Sequence, residues 1–257
     1  MEYIIICLAA LLTSGLTLFS GFGLGTLLMP VFAVFFPIDL AIGMTAIVHF
    51  LNNIFKLYLL GRQADKSVVL RFGIPAIITA LIGAQVLIWL SGIEPLFEYE
   101  LFGKLFIVAP VKFTIAVLMI IFAMFEIIPS LEKFSVEKKY LPLGGVLSGF
   151  FGGLSGHQGA LRSAFLVRCG LSKESFIATG VVIACLVDVS RLSVYTSHFT
   201  SEGLSTNLSL LIAAALSAFL GAFIGNKLIK KVTMKGIRII VSIMLFAIAV
   251  GLGSGLI

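Results

Sequence analysis

Six stretches of roughly twenty apolar residues, separated by short polar loops, leave this chain few ways to fold: Leu40–Leu60, Phe72–Leu90, Val111–Ile128, Ser175–Tyr195, Leu208–Ile229 and Ile237–Ile257. A helix needs about 20 such residues to cross a hydrocarbon core. The chain is 60% hydrophobic and 12% charged, whereas soluble proteins run near 45–50% apolar and about 25% charged. In water that excess would lie on the surface as large apolar patches. A bilayer accommodates it, provided that each backbone polar group pairs within its own segment. The expected fold class is therefore an all-α integral membrane protein, a polytopic helical bundle. A membrane β-barrel would show short alternating segments in place of these long runs.

Charge and cysteine content exclude other classes. The lysines and arginines behind the net charge of +6 sit mainly in short loops between apolar runs, so it is no nucleic-acid footprint. Cys7, Cys169 and Cys185 have neither the number nor the spacing of a disulfide framework or a zinc site. No cofactor or resident metal is expected. Met1-Glu2-Tyr3 lacks a basic leader region, so the first apolar segment is expected to persist in the mature chain.

Two further apolar stretches do not fit a single crossing. Ile4–Phe36 is interrupted by Ser20-Gly21-Phe22-Gly23-Leu24-Gly25, and Leu141–Val167 by Gly152-Gly153-Leu154-Ser155-Gly156-His157-Gln158-Gly159. As one helix the first would be about 50 Å long, and each interior glycine costs ~1 kcal/mol relative to alanine. Both read as helix–break–helix hairpins. Lys and Arg mark cytoplasmic loops. Arg62, Lys66 and Arg71 place one loop inside, as do Lys133, Lys138 and Lys139, and again Lys227, Lys230, Lys231, Lys235 and Arg238. The loop with Glu94, Glu98 and Glu100 against Lys104, and the stretch 196–206 without Lys or Arg, belong outside. Counting spans from these anchors puts Arg168 and Lys173 inside, so the second hairpin enters and leaves from the cytoplasm. The first does so from outside.

That layout is an inverted repeat. Ser14-Gly15, Gly25, Leu27 and Thr45 recur 134 positions on (148 minus 14) as Ser148-Gly149, Gly159, Leu161 and Thr179. Asn53-x-x-Lys56 recurs as Asp188-x-x-Arg191, and Ala80-x-x-Gly83-Ala84 as Ala218-x-x-Gly221-Ala222. Two halves are expected, residues 1–131 and 132–257, within one transmembrane domain. Inverted repeats whose broken helices meet near the midplane are a secondary-transporter architecture.

The polar residues that such a fold would bury are the candidate site. In the second hairpin Ser155, Gly156, His157, Gln158 and Arg162 surround a break whose following half-helix presents N–H groups and a positive dipole end, which favours anions. The guanidinium of Arg162 can bond an anionic oxygen pair bidentately. Its burial would be costly without a partner. The glycines would equally serve close helix packing. The first hairpin offers Gly23 and Gly25, hence backbone groups, with Ser20 and Thr26 its polar side chains. On the next span Thr45, His49, Asn52, Asn53 and Lys56 share one helical face. His49 is a candidate for substrate contact or proton coupling, and Lys56 either faces the cavity or snorkels to the interface. Asp188 and Arg191 are spaced for an intrahelical ion pair. They read as a gate at an outer mouth or as a self-neutralising buried pair.

The Gly-rich first segment leading into Pro30, the Gly83-Ala84 pair and the Ser148-Gly149-x-x-Gly152-Gly153 repeat resemble the TauE/SafE family of sulfite exporters and toluenesulfonate uptake permeases, over essentially the whole chain. The resemblance implies a multi-pass carrier in the cytoplasmic membrane for sulfite, sulfoacetate or other organosulfonates, with export as the expected direction. Where the family continues with glycines and a proline, this chain has His157, Gln158 and Arg162, which leaves the particular anion open. A coupled proton and a homodimer also stay open. A passive anion channel is the alternative reading. A rhomboid-like serine protease is a remote one, resting on Gly153-Leu154-Ser155-Gly156 with His198 as the only later histidine. No enzymatic activity is expected.

Overall fold

The computed structural model describes residues 1–20, 23–60, 63–101, 103–127, 136–196, 206–228 and 234–257. Its helices are α1 (Glu2–Ser20), α2 (Leu24–Ala33), α3 (Ile38–Leu60), α4 (Lys66–Ser91), α5 (Pro110–Ile127), α6 (Leu141–Ser155), α7 (Gly159–Leu166), α8 (Lys173–Tyr195), α9 (Leu208–Leu228) and α10 (Met234–Gly253). Among the described residues α3, α4, α8 and α9 contain stretches long and apolar enough to cross a membrane. The chain is thus an all-α polytopic membrane protein. The proposed repeat boundary at 131/132, the loop charges at Arg62, Lys133, Lys230 and Lys231, and the residues His198 and Glu202 lie outside the described residues.

Both interrupted segments are helix–break–helix elements. In the second, the sequence places the break across Gly152–Gly159, and the structure narrows it to Gly156, His157 and Gln158. Gly152 and Gly153 remain helical because they pack. Gly156 closes α6 in the left-handed region at φ 80°, a conformation open to glycine at little cost.

Helix pairing follows a regular scheme. α1 packs on α9, and α6 on α4; α3 packs on α8, and α5 on α10. Exchanging the two halves maps this set of pairs onto itself. At the two repeat-related crossings the backbones nearly touch. A Cβ on Gly83 would lie 2.1 Å from the Phe150 carbonyl oxygen of α6, and one on Gly221 would lie 2.0 Å from the Leu11 carbonyl oxygen of α1. With no apolar-versus-water driving force between helices in lipid, such close approach supplies the packing energy.

Side-chain caps set two helix starts beside the site. Asp65 accepts from the Val68 amide at 2.9 Å to open α4, and Ser172 accepts from the Ser175 amide at 3.1 Å to open α8. The Asp65 amide in turn donates to Thr179 Oγ1 of α8 at 2.9 Å, tying the α3–α4 connection to that helix.

One element departs from the sequence reading. The acidic loop after α4 is an antiparallel hairpin of β1 (Phe97–Leu101) and β2 (Lys104–Val108), with Tyr99 opposite Phe106. Tyr99 stacks on Phe106 and donates its hydroxyl to the Ser254 carbonyl at 2.6 Å, which fastens the hairpin to the end of α10.

Candidate functional site

The two breaks meet. A Cβ on Gly25, in the first turn of α2, would lie 3.4 Å from the Gly156 carbonyl oxygen of the other hairpin. Beside this junction, Asp188 of α8 is fully buried and gathers donors from three segments. His49 of α3 approaches Asp188 Oδ2 through Nδ1 at 2.6 Å, and Asn53 Nδ2 donates to the same oxygen at 3.3 Å. Gln158, in the second break, donates Nε2 to Oδ1 at 3.2 Å. Arg191 donates to Oδ1 from Nε at 3.0 Å and from Nη2 at 2.7 Å. A carboxylate with only donors around it is the ionised acceptor. The proton of neutral His49 therefore sits on Nδ1, with Nε2 turned toward Gly23, 3.4 Å from where that residue would carry a Cβ.

A cavity of about 40 Å³ opens next to this cluster. Its polar wall is Thr17 of α1, Gly23 at the start of α2, His49, Asn53 and Lys56 of α3, and Arg162 and Ser163 of α7; Gly180 of α8 lies opposite. Leu24, Leu166, Phe176, Ile177 and Val181 make the apolar wall. Arg162 donates Nη1 to the Gln158 side-chain oxygen at 3.3 Å. Gln158 thereby carries the Asp188 cluster through to the cavity's guanidinium. Lys56 is 5% exposed and has no hydrogen bond or ion pair among the described residues, so it has not snorkelled to the interface. The Thr17 hydroxyl is likewise without a partner.

The remaining sequence candidates lie elsewhere. Thr45 bonds back to the Ala41 carbonyl at 2.7 Å. Ser155 donates to the Phe151 carbonyl at 3.0 Å. His157 stacks on Phe122 of α5 with ring centroids 5.1 Å apart, and its Nδ1 stands 3.1 Å from both Ser155 oxygens. It packs on α5 and is not among the residues that line the cavity. Gly156 supports Arg191, whose Nη1 lies 3.0 Å from the position of an added Cβ. Asp188 and Arg191 form a buried ion pair, both 0% exposed, and Arg191 also donates Nη1 to the Gly152 carbonyl at 3.3 Å. Tyr195, one turn on, donates to the Gly153 carbonyl. Tyr195 thus meets a carbonyl in the last turn of α6, and Arg191 adds a second donor to the Gly152 carbonyl, which also accepts from the Gly156 amide.

Sequence reasoning missed Thr17 and Gly180. Thr17 had a signal, since Thr13, Ser14 and Thr17 repeat at helical spacing on α1 and all three are buried. Gly180 had none. Its smallness gains meaning only from the position of Arg162, whose Nε is 3.4 Å from where a Cβ at residue 180 would stand.

Chemically, the cavity offers an ammonium, a guanidinium, two hydroxyls, an imidazole and a helix N-terminus, and no carboxylate lines it among the described residues. A wall so rich in donors can accept an anion. Comparison with known proteins agrees in kind: the family profile described as Sulfite exporter TauE/SafE matches residues 6–252. No curated protein and no solved structure matches the chain.

Proposed function

Because this chain belongs to the TauE/SafE sulfite exporter family, we propose that its cavity is the transport site for a small sulfur-containing anion, exported across the cytoplasmic membrane by alternating access. The observation that carries the reading is the pair Lys56 and Arg162, buried at one cavity with no carboxylate bonded to either. Buried cations in a bilayer are costly unless paired, and an anion in the cavity pairs both. Arg162 binds it, held in place through Gln158 and Asp188. Lys56 and Thr17 complete the ring of donors, and the free amides at the start of α2 favour negative charge from the other side.

The inverted arrangement supplies the access change. Loop charge puts the carboxy-terminal half of α3 and the amino-terminal half of α8 on the cytoplasmic side, so the cavity is loaded from inside, in keeping with export. On the outer side the repeat partner of Lys56 is Arg191, locked by Asp188 and the α6 carbonyls. Asn53 stands where the other half has Asp188, and this one difference decides which cation is neutralised by the protein and which awaits substrate. Opening outward would require Arg191 and Tyr195 to release Gly152 and Gly153. His49, between Asp188 and the cavity, is the group placed to couple a proton to this step.

Thermal stabilisation of the purified protein by sulfite, sulfoacetate and other sulfonates tests the reading. At least one sulfur oxyanion should stabilise the parent, and Arg162→Ala should weaken its binding by about 1.5–3 kcal/mol, the value of a hydrogen bond to a charged group. Unchanged affinity in that variant would remove the anion from this cavity.

A further inference from the structure

Lys56 and Arg162 reach the cavity from different halves of the chain, and what surrounds them fixes how much negative charge the site can take. Arg162 is 8% exposed, and its hydrogen bond runs to a neutral amide oxygen, that of Gln158. Lys56, 5% exposed, has no bonded partner among the described residues. The carboxylate beside the cavity, Asp188, is engaged by Arg191 at 2.7 Å and by His49 at 2.6 Å. Its charge is matched by Arg191 before either cavity cation is counted. The cavity wall therefore holds two cationic side-chain types and, among the described residues, no carboxylate.

We propose that the site is matched to a small oxyanion carrying two negative charges, and that Lys56 sets this preference over singly charged sulfonates. The inference rests on the anion-carrier reading above and narrows it. A monoanion bound at Arg162 leaves the ammonium of Lys56 uncompensated in a low-dielectric setting, where an unpaired charge is strongly unfavourable. A dianion compensates both. A tetrahedral or pyramidal oxyanion also has enough oxygens to meet the guanidinium fork, the ammonium and the unpartnered Thr17 hydroxyl together. Sulfite in its doubly charged form meets this condition, whereas a singly charged sulfonate does not.

Sulfate and methanesulfonate make the test, because they differ by one methyl group in place of one anionic oxygen and neither titrates near neutral pH. Binding of each to the full-length protein in detergent would be measured by calorimetry at constant ionic strength. The parent should bind sulfate at least about tenfold more tightly than methanesulfonate, the lower end of what one charge-assisted hydrogen bond contributes. Lys56→Gln should abolish that preference by weakening sulfate while leaving methanesulfonate nearly unchanged, and Lys56→Arg should retain it. Lys56→Met, which keeps the length of the side chain, provides the same comparison if the glutamine variant does not fold. Equal affinities in the parent, or equal weakening of both anions by loss of the ammonium, would overturn the dianion preference alone. Binding of neither sulfate nor methanesulfonate nor sulfite to the parent would overturn the anion-site reading with it.

Discussion

Replacing Asp188 by asparagine should be among the most damaging single-atom changes in this protein. The carboxylate receives His49 Nδ1 and Asn53 Nδ2 on one oxygen, and Gln158 Nε2 with two Arg191 nitrogens on the other. An amide presents its NH2 to one of these groups whichever way it is turned, so a donor faces donors. The change also leaves the fully buried Arg191 guanidinium without its counter-charge. Breaking a buried ion pair by removing one partner costs about 3–5 kcal/mol, and the lost donors place Asp188→Asn at the upper end. Arg191→Met should cost less, because Asp188 keeps His49, Asn53 and Gln158. The double variant Asp188→Asn/Arg191→Met should be more stable than the sum of the two singles by about 1–3 kcal/mol, since no unpaired charge then remains. Reversible unfolding in mixed micelles, followed by circular dichroism, gives all three values. A loss below about 1 kcal/mol for Asp188→Asn, or strict additivity in the double variant, would refute the view of Asp188 as the junction of α3, the second break and α8.

Four further outcomes are expected. Gly83→Ala and Gly221→Ala, each aiming a methyl at a backbone carbonyl about 2 Å away, should lose about 1–3 kcal/mol in the same unfolding assay, as overpacked interfaces do. Gly180→Ala, by contrast, meets only the end of Arg162 at 3.4 Å, so anion affinity in calorimetry should fall while the unfolding transition stays put. Protonation of His49 would add positive charge beside the cavity and so favour anion binding as pH falls; His49→Gln should flatten the dependence of transport between about pH 5 and 8, and an unaltered pH profile would take His49 out of the cycle. For topology, cysteines placed at Asp39 and Ser172 in a cysteine-free background should label from outside and from inside respectively, and external labelling at 172 would end the inverted arrangement.

Much of this architecture could be read from residue order because the bilayer removes alternatives. Long apolar runs can only be helices there, and the glycine clusters at 21–25 and 152–159 mark where each long run is interrupted, although Gly25, Gly152 and Gly153 themselves stay helical. The polar stripe His49, Asn53 and Lys56 was legible for the same reason, since a helix face carrying these groups has to avoid lipid. What could not be read was which polar groups satisfy one another across the halves. Asp188 and Arg191 are an i, i+3 pair in the sequence, and nothing there shows that His49, 139 positions away, closes on the same carboxylate. His157 and Gln158 are neighbours in one loop, yet one packs against Phe122 and the other donates into the cluster. The hairpin at 97–108 did leave a trace, the alternation Phe97-Glu98-Tyr99-Glu100-Leu101, which its acidic residues disguised as a solvated loop.

Counterflow in proteoliposomes tests the central claim most directly. Vesicles containing the parent protein are loaded with unlabelled sulfite and diluted into a trace of radiolabelled sulfite with the membrane potential clamped. A carrier that alternates around the Lys56–Arg162 cavity accumulates label transiently above equilibrium, and Arg162→Ala reconstituted at equal density accumulates little. Uptake that is no faster from loaded than from empty vesicles would identify a passive pore, and full counterflow by the arginine variant would place the transported anion somewhere other than this cavity.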